Sequence, residues 1–270
     1  MKKLLFSLLT ASMMLSCSNS KSMLSKVEST IAEDSKLSAV LWQQTSAEYE
    51  ALCYQAFNAA SYRLSTGDND ALDASSKKKA IVMDLDETVL DNSPYNGWMI
   101  ENNKSYSEET WREWCMLEKA EFVPGAADFI DLATNKGFKI IFISNRSIED
   151  MEVTIYNLEK GGIAVNRSDI LLKTSSSSKI ERREKVFTEY NVVMLIGDNL
   201  ADFNDQFDEE LNINQRKELI DKFKSQFGIF FIVLPNVMYG DWENTLKSNN
   251  NSDYIQNYNA YGLKKYIKTF

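Results

Sequence analysis

Two aspartates, Asp84 and Asp86, directly follow the short apolar run Ala80–Met83. Burying a carboxylate without a partner is costly, so two acids at the end of a strand that reads as buried indicate a bound cation. A second pair of acids, Asp198 and Asp202, follows the apolar run VVMLIG. Because hard cations prefer oxygen ligands, the two pairs together predict a Mg²⁺ site.

These residue types can also transfer a phosphoryl group. Asp84 could act as the nucleophile and form an acyl phosphate. Asp86 could protonate the leaving oxygen and later deprotonate the attacking water. Lys179 and the Ser144 hydroxyl would hold the phosphoryl oxygens, where negative charge must be stabilised. The sequence contains no histidine, which excludes His-based phosphatases, Ser-His triads and His-ligated zinc.

The elements that would position these residues follow an alternating pattern. Segments with a helical pattern separate five apolar runs, at residues 79–85, 138–144, 169–173, 192–198 and 227–236. Strands that are apolar throughout and alternate with helices indicate a parallel sheet covered on both faces. We therefore predict an α/β fold with a Rossmann-like parallel sheet, helices on both of its faces, and a small helical cap and N-terminal helical segment.

Ligands of open α/β sheets bind outside the carboxyl ends of the strands. The polar residues that follow successive runs are Asp84 and Asp86, Ser144-Asn145-Arg146, Lys173 or Lys179, and Asp198-Asn199 with Asp202. Acids, a hydroxyl and a lysine are thus predicted to meet at one edge of the sheet, as expected of a metal and anion site.

The chain divides into a leader, a tether and a catalytic region. Residues 1–16 read as a lipoprotein-type signal peptide, with Lys2 and Lys3 before the apolar stretch 4–15, which is too short to span a bilayer. Cys17 would carry the lipid; the alternatives are an ordinary secretory peptide with an incidental cysteine, or an uncleaved anchor. The predicted regions are a tether at 17–35, a helical segment at 36–75 and a catalytic core at 76–270, with a cap insertion at about 92–123.

Within the cap insertion, residues 106–122 carry a helical pattern, which predicts one helix across this stretch. Cys53 and Cys115 could pair in an oxidising envelope, but two unpaired buried thiols are favoured. The formal net charge of −9 argues against nucleic-acid polymers as ligands. An anionic substrate would therefore need local positive charge or a metal, and homodimer formation is left open.

The motifs carry a resemblance to a known family. DLDET at 84–88, ISNR ending at Arg146, Lys179, and GDNLADF at 197–203 resemble the four motifs of the haloacid dehalogenase (HAD) superfamily. The longer stretches DLDETVLDNSPYNGW, VPGAADF, SSKIERR and FIVLPNVMYGDWE resemble the class C acid phosphatases, the bacterial outer-membrane lipoprotein 5′-nucleotidases. The resemblance extends from about Leu37 to the C-terminus and includes the leader.

The resemblance implies a role for each matching residue. Asp84 would be the nucleophile and Asp86 the general acid and base. Mg²⁺ would be held by the Asp84 and Asp198 carboxylates and the Asp86 backbone carbonyl, with Asp202 beside it. Lys179 would neutralise the phosphate.

The substrate-binding residues match less uniformly. Asn145 and Arg146 agree with the family, whereas Ser144 replaces a more usual threonine and keeps the hydroxyl. Ser176 stands where an additional lysine is common, which implies weaker phosphate affinity. Trp111 and Tyr239 fall on the positions that stack the nucleobase.

Simpler structural interpretations accompany some of these residues. Ser144-Asn145-Arg146 could also cap the following helix. Asp202 could be a metal neighbour or an ordinary acid at a helix start. Trp111 and Trp114 lie three residues apart, so one of them is expected in the interior of the cap.

The function predicted from the sequence is a Mg²⁺-dependent acid phosphatase or 5′-nucleotidase of the bacterial envelope. It would act on nucleoside monophosphates, carry a lipid anchor and reside at the outer membrane. The alternatives are a broad acid phosphatase or phosphotransferase without nucleoside preference, and a catalytically silent surface-binding lipoprotein.

Overall fold

The computed structural model describes residues 36–66 and 77–248. The predicted signal peptide, Cys17 and the tether lie outside the described residues. Among the helices that are described, none is both long and apolar enough to cross a membrane.

A five-stranded parallel sheet forms the centre of the fold, in the order β5-β4-β1-β6-β7. The strands, with a separate two-stranded pair β2-β3, are β1 Lys79–Met83, β2 Leu90–Asp91, β3 Glu121–Phe122, β4 Lys139–Ser147, β5 Ile170–Lys173, β6 Asn191–Gly197 and β7 Phe231–Val233. Each of the five predicted runs contributes one strand of the parallel sheet, so the predicted α/β class is confirmed.

Helices cover the sheet on both faces. They are α1 at residues 36–45, α2 Ala47–Ser65, α3 Ser93–Glu101, α4 Glu108–Met116, α5 Ala126–Asn135, α6 Met151–Lys160, α7 Ile180–Glu189, α8 Ile213–Phe223 and α9 Asp241–Ser248. Short 3₁₀ turns occur at Ile148–Asp150, Arg167–Asp169, Leu200–Asp202 and Asp205–Phe207.

Alternation along β1 explains why the sheet needs helices on both sides. Ile81 and Met83 belong to the core cluster on one face, and Ala80 and Val82 to the cluster on the other. Successive side chains of a strand point to opposite faces, so a strand that is apolar throughout must be covered twice. All four side chains are buried.

The N-terminal helix α2 is part of this core. Its buried residues include Cys53 and Phe57, and the Phe57 ring lies 5.6 Å from that of Phe129 in α5. The Ser46 hydroxyl accepts a hydrogen bond from the Tyr49 N–H and caps the helix. Helix α2 therefore packs directly on α5, one of the helices that cover the sheet.

The cap insertion contains α3 and α4, and β2 pairs with β3 at its base. The single helix predicted over 106–122 is wrong at both ends, because α4 covers only Glu108–Met116 and Glu121–Phe122 is a strand. Glu118 adopts a left-handed backbone with φ of 52°, which ends the helical path. Cys53 and Cys115 are both buried and unpaired, which confirms the favoured state of the thiols.

Candidate active site

A cavity of about 520 Å³ lies at the carboxyl ends of β1, β4 and β6. The predicted site residues that line it are Asp84, Asp86, Trp111, Asn145, Arg146, Lys179, Asp198, Asp202 and Tyr239. Residues separated by more than 150 positions therefore meet, because parallel strands present their carboxyl ends at one edge of the sheet. Of the two lysines considered, Lys179 lies in the cavity, whereas the Lys173 ammonium faces Glu108 at 3.7 Å.

Three acids form a compact group in the cavity. Asp84, Asp198 and Asp202 each present a carboxylate oxygen within 4.8 Å of the others. The Lys179 ammonium lies between two of them, 2.7 Å from Asp84 Oδ1 and 2.6 Å from Asp202 Oδ1. An all-oxygen group of this size fits a hard divalent cation such as Mg²⁺.

Burial of these charges shifts their titration. Burial raises the pKa of Asp84 well above its usual value; the Lys179 ammonium opposes the rise, and Asp202 and Asp198 add to it. Burial, with Asp202, raises the pKa of Asp198 to about 7. Burial lowers the pKa of Lys179, but Asp202 and Asp84 outweigh it, so the net shift is upward and the lysine stays charged. Full ionisation of the three acids is therefore unfavourable in the absence of a cation, and a divalent cation would relieve this cost.

Asp86 has different partners from Asp84. Its Oδ1 accepts hydrogen bonds from Arg146 Nε at 2.9 Å and from Asn92 Nδ2 at 2.9 Å, and Arg146 NH2 lies 2.8 Å away. Its Oδ2 accepts a weaker bond from the Ser144 hydroxyl at 3.2 Å. Ser144 itself is fully buried, so its hydroxyl supports Asp86 from behind the cavity wall.

Asp198 is also held by residues that the sequence did not single out. Asn236 Nδ2 donates to Asp198 Oδ2 at 2.8 Å, and the Thr88 hydroxyl donates to Asp198 Oδ1 at 3.2 Å. Asp202 accepts the Asn199 N–H at 3.0 Å, in a capping box at the 3₁₀ turn. Asp202 therefore caps a turn and also belongs to the acid group.

Two arginines fix the loops around Lys179. Arg182 donates to the Ser144 carbonyl at 2.6 Å and to Asn145 Oδ1 at 2.7 Å. Arg183 donates to the Ala201 carbonyl at 2.8 Å. Asn145 also lines the cavity, and because its Oδ1 accepts from Arg182, its amide N–H groups remain available to an acceptor there. Neither arginine was predicted from the sequence, although the stretch SSKIERR places both one helical turn after Lys179.

The other acids after β1 have local roles. Glu87 is fully buried, has a left-handed backbone with φ of 59°, and accepts the Asn92 N–H at 2.8 Å. Burial raises the pKa of Glu87 well above its usual value. Asp91 accepts the Ser93 N–H at 2.8 Å at the start of α3. Both residues stabilise the turn that leads from β1 into the cap.

Aromatic side chains form one wall of the cavity. Tyr95, Tyr106 and Trp111 line it, and the rings of Tyr95 and Trp111 are 5.2 Å apart in an edge-to-face contact. Tyr239 also lines the cavity, and α1 contributes Lys36. The two cap tryptophans differ in position. Trp111 lines the cavity, whereas Trp114 donates its indole N–H to Asn92 Oδ1 at 2.8 Å.

Comparison with known proteins gives consistent results. The family profile described as HAD superfamily, subfamily IIIB (Acid phosphatase) matches residues 1–242. The class C acid phosphatase from Bacillus anthracis superposes with a TM-score of 0.79 at 37% identity, covering 88% of this chain and 99% of that one. The same protein with tungstate bound gives a TM-score of 0.78 at 36% identity, with 89% and 99% coverage.

Plant relatives match a shorter region. The stem 28 kDa glycoprotein of Glycine max is 32% identical over 136 residues, which are 46% of this chain and 52% of that protein. A stem 31 kDa glycoprotein of Glycine max is 32% identical over 136 residues, covering 46% of each. The chain thus spans about half the length of these curated relatives.

A substitution at Gly197, the last residue of β6, tests how tightly the Asp202 carboxylate is packed. A Cβ at this position would lie 2.3 Å from Asp202 Oδ2. Because Lys179 and the Asn199 N–H hold this carboxylate, we expect Gly197→Ala to destabilise the protein by about 1–3 kcal/mol in urea unfolding.

Gly97→Ala is the matched control, since a Cβ there meets nothing closer than 3.6 Å. In a helix this change should be neutral or stabilise by up to about 1 kcal/mol. Equal stability of the two variants would contradict the tight packing of Asp202 against β6.

Proposed function

The chain belongs to the HAD superfamily, subfamily IIIB, the acid phosphatases, and we propose that it is a Mg²⁺-dependent phosphatase of nucleoside monophosphates at the bacterial cell envelope. The observation that carries the proposal is the acid group of Asp84, Asp198 and Asp202 around Lys179, with Asp86 held apart by Arg146. Asp84 thereby faces a cation site, whereas Asp86 lies outside that site and is available for proton transfer.

The donor set supports Mg²⁺ as the cation. The Asp84, Asp198 and Asp202 carboxylates offer oxygen ligands, and the Asp86 carboxylate lies outside this group, paired with Arg146. The metal role proposed for Asp86 therefore concerns its backbone carbonyl. When bound, Mg²⁺ would supply charge neutralisation for the phosphoryl oxygens.

The first chemical step joins Asp84 to phosphorus. A carboxylate oxygen of Asp84 attacks, the bond from phosphorus to the ester oxygen breaks, and the leaving oxygen takes a proton from Asp86. Lys179, which already lies 2.7 Å from Asp84 Oδ1, is within reach of the transferring phosphoryl group and offsets its charge. The exposed Asn145 amide is available to donate to a phosphoryl oxygen.

The second step returns the enzyme to its starting state. Water attacks the phosphorus of the aspartyl phosphate, and Asp86, now a carboxylate, accepts a proton from it. The bond to Asp84 breaks and inorganic phosphate leaves. The tungstate-bound structure of the Bacillus anthracis relative supports an oxyanion site in this family.

Replacing the nucleophile tests the mechanism. Asp84→Asn should lower kcat by at least about a thousandfold, because an amide cannot form the aspartyl phosphate. EDTA should abolish phosphate release by the unmodified protein, and added Mg²⁺ should restore it. Asp91→Asn is the matched control, since Asp91 caps α3 and lies outside the cavity lining.

An Asp84→Asn protein with near-normal turnover would contradict the nucleophile assignment. Absence of Mg²⁺-dependent phosphate release from a panel of monophosphates would favour a silent binding protein.

The aromatic wall supports a nucleoside as the leaving group. Trp111 and Tyr239 both line the cavity that holds the acids, so a base could stack between their rings. Every base has a π-face, so stacking of this kind tolerates any base. The Arg146 guanidinium lies 5.8 Å from the centre of the Trp111 ring, which keeps this indole against the cavity wall.

Trp111→Ala tests base stacking. We expect kcat/KM for a nucleoside monophosphate to fall about tenfold relative to that for a small aryl phosphate, because the stacking contribution of one face is lost. The aryl phosphate is the internal control for folding. Ribose 5-phosphate, which has no base but whose alkoxide leaving group needs the proton from Asp86 as a nucleoside does, controls for a change at Asp86 through Arg146. An unchanged ratio would contradict stacking on Trp111. Equal rates of the unmodified protein on ribose 5-phosphate and a nucleoside monophosphate would favour the broad-specificity alternative.

The leader supports the envelope location. The lipoprotein pattern is matched by Lys2, Lys3, the apolar stretch 4–15 and Cys17. Position 18 is a serine and not the aspartate associated with inner-membrane retention. Membrane binding would then come from acyl chains on Cys17.

Cys17→Ser tests the anchor. The protein with its natural sequence, expressed in a Gram-negative host, should sediment with the outer membrane and partition into detergent. The Cys17→Ser variant should lose detergent partitioning. Ser18→Ala is the control and should behave like the unmodified protein. Detergent partitioning that persists in Cys17→Ser would contradict lipidation at this residue.

A further inference from the structure

The cap helix α4 reaches Asp86 by two separate routes. On the first, the Trp114 indole N–H donates to Asn92 Oδ1 at 2.8 Å, and Asn92 Nδ2 donates to Asp86 Oδ1 at 2.9 Å. On the second, the Trp111 ring faces the Arg146 guanidinium, whose Nε donates to the same Asp86 oxygen. The two tryptophans are three residues apart, so they lie on one face of the helix.

The orientation of the Asn92 amide follows from its neighbour. An indole N–H can only donate, so the atom of Asn92 that faces Trp114 must be the carbonyl oxygen. The amide nitrogen is then turned toward Asp86. Asn92 is fully buried, and Arg146 NH2 lies 3.4 Å from the same carbonyl oxygen, so a flipped amide would face two donors and lose its bond to Asp86.

These bonds distinguish the two oxygens of Asp86. Oδ1 accepts from both Arg146 and Asn92, whereas Oδ2 accepts, among the residues that the structure describes, only the longer bond from the Ser144 hydroxyl. Asp86 also lines the cavity. Oδ2, which has fewer and weaker donors than Oδ1, is therefore the oxygen available to carry a proton.

We propose that Asn92 and Trp114 are positioning residues that aim Asp86 Oδ2 at the leaving oxygen. The cap helix α4, which carries Trp111 of the aromatic wall, thereby also directs proton delivery. This inference rests on the proposed phosphatase function. Neither residue need touch the substrate, because both act through Asp86. Loss of the Trp114 N–H removes the shorter of the two hydrogen bonds to Asn92 Oδ1, leaves only the 3.4 Å contact from Arg146 NH2 there, and so weakens the orientation of the amide that donates to Asp86.

Trp114→Phe tests the inference, because it removes the N–H donor and keeps an aromatic ring in the cap. The substrates are a series of substituted phenyl phosphates of similar size whose leaving phenols differ in pKa, together with a nucleoside monophosphate. The measured quantity is kcat/KM, which reports the step in which the leaving group departs. The later hydrolysis of the aspartyl phosphate is common to all substrates.

We expect the slope of log kcat/KM against phenol pKa to become more negative in Trp114→Phe. A poor leaving group needs the proton from Asp86, whereas p-nitrophenolate leaves without it. The nucleoside monophosphate should lose about tenfold in kcat/KM, and p-nitrophenyl phosphate less than about twofold. Asn92→Ala should steepen the slope further, with folding checked by thermal unfolding.

Trp98→Phe is the matched control, since it makes the same chemical change in the neighbouring cap helix α3 at a side chain that is 37% exposed. It should keep the unmodified slope. An equal loss for every leaving group in Trp114→Phe, or no loss, would overturn the inference.

The outcome also separates the two proposals. If the unmodified protein hydrolyses none of these phosphates with Mg²⁺, the phosphatase function fails and the inference fails with it. If the unmodified protein hydrolyses them and Trp114→Phe keeps its slope, only the inference is overturned.

Discussion

The Lys179 ammonium, shared between Asp84 and Asp202, is the interaction on which the site depends. All three side chains are nearly buried, where an unpaired charge is costly. One ammonium cannot balance three carboxylates, so two negative charges stay uncompensated when Asp84, Asp198 and Asp202 are all ionised. The ionised acids at this sheet edge are therefore unfavourable without a bound cation. The same arrangement suits a divalent cation together with a phosphate.

Positioning this lysine requires several elements at once. Lys179 is the N-cap residue of α7, and the arginines that follow it bind the end of β4 and the turn that carries Asp202. The glycine that ends β6 leaves room for the Asp202 carboxylate. Because the contacts of Lys179 and of the two arginines join segments distant in sequence, the acid group is a property of the folded sheet and not of any one motif.

The sequence predicted the framework of this arrangement better than its details. Apolar runs such as Ala80–Met83 identify buried parallel strands because burial on both faces leaves no polar alternation. The strand Glu121–Phe122 was missed because two residues carry no periodicity, and it exists only through pairing with Leu90–Asp91. Elements that depend on a distant partner cannot be recognised from local pattern.

The same limit applies to the site. The acids could be predicted, since a carboxylate after an apolar strand is unusual in itself. Their partners could not: Asn92, Thr88 and Asn236 are ordinary polar residues until the fold places them against Asp86 or Asp198. Likewise, three-residue spacing put Trp111 and Trp114 on one helix face, but only the packed cap shows which of them lines the cavity.

The two acids after β1 show how surroundings divide chemical roles. Asp84 and Asp86 are two residues apart, yet Asp84 faces Lys179 and two further acids, whereas Asp86 faces Arg146 and an amide. The first environment belongs to the core and is set by the strand ends. The second is completed by the cap, through the indole of Trp114. In the proposed mechanism, a change in the cap would therefore alter both the leaving group that is accepted and its protonation, while Asp84, Asp198 and Asp202 stay in place.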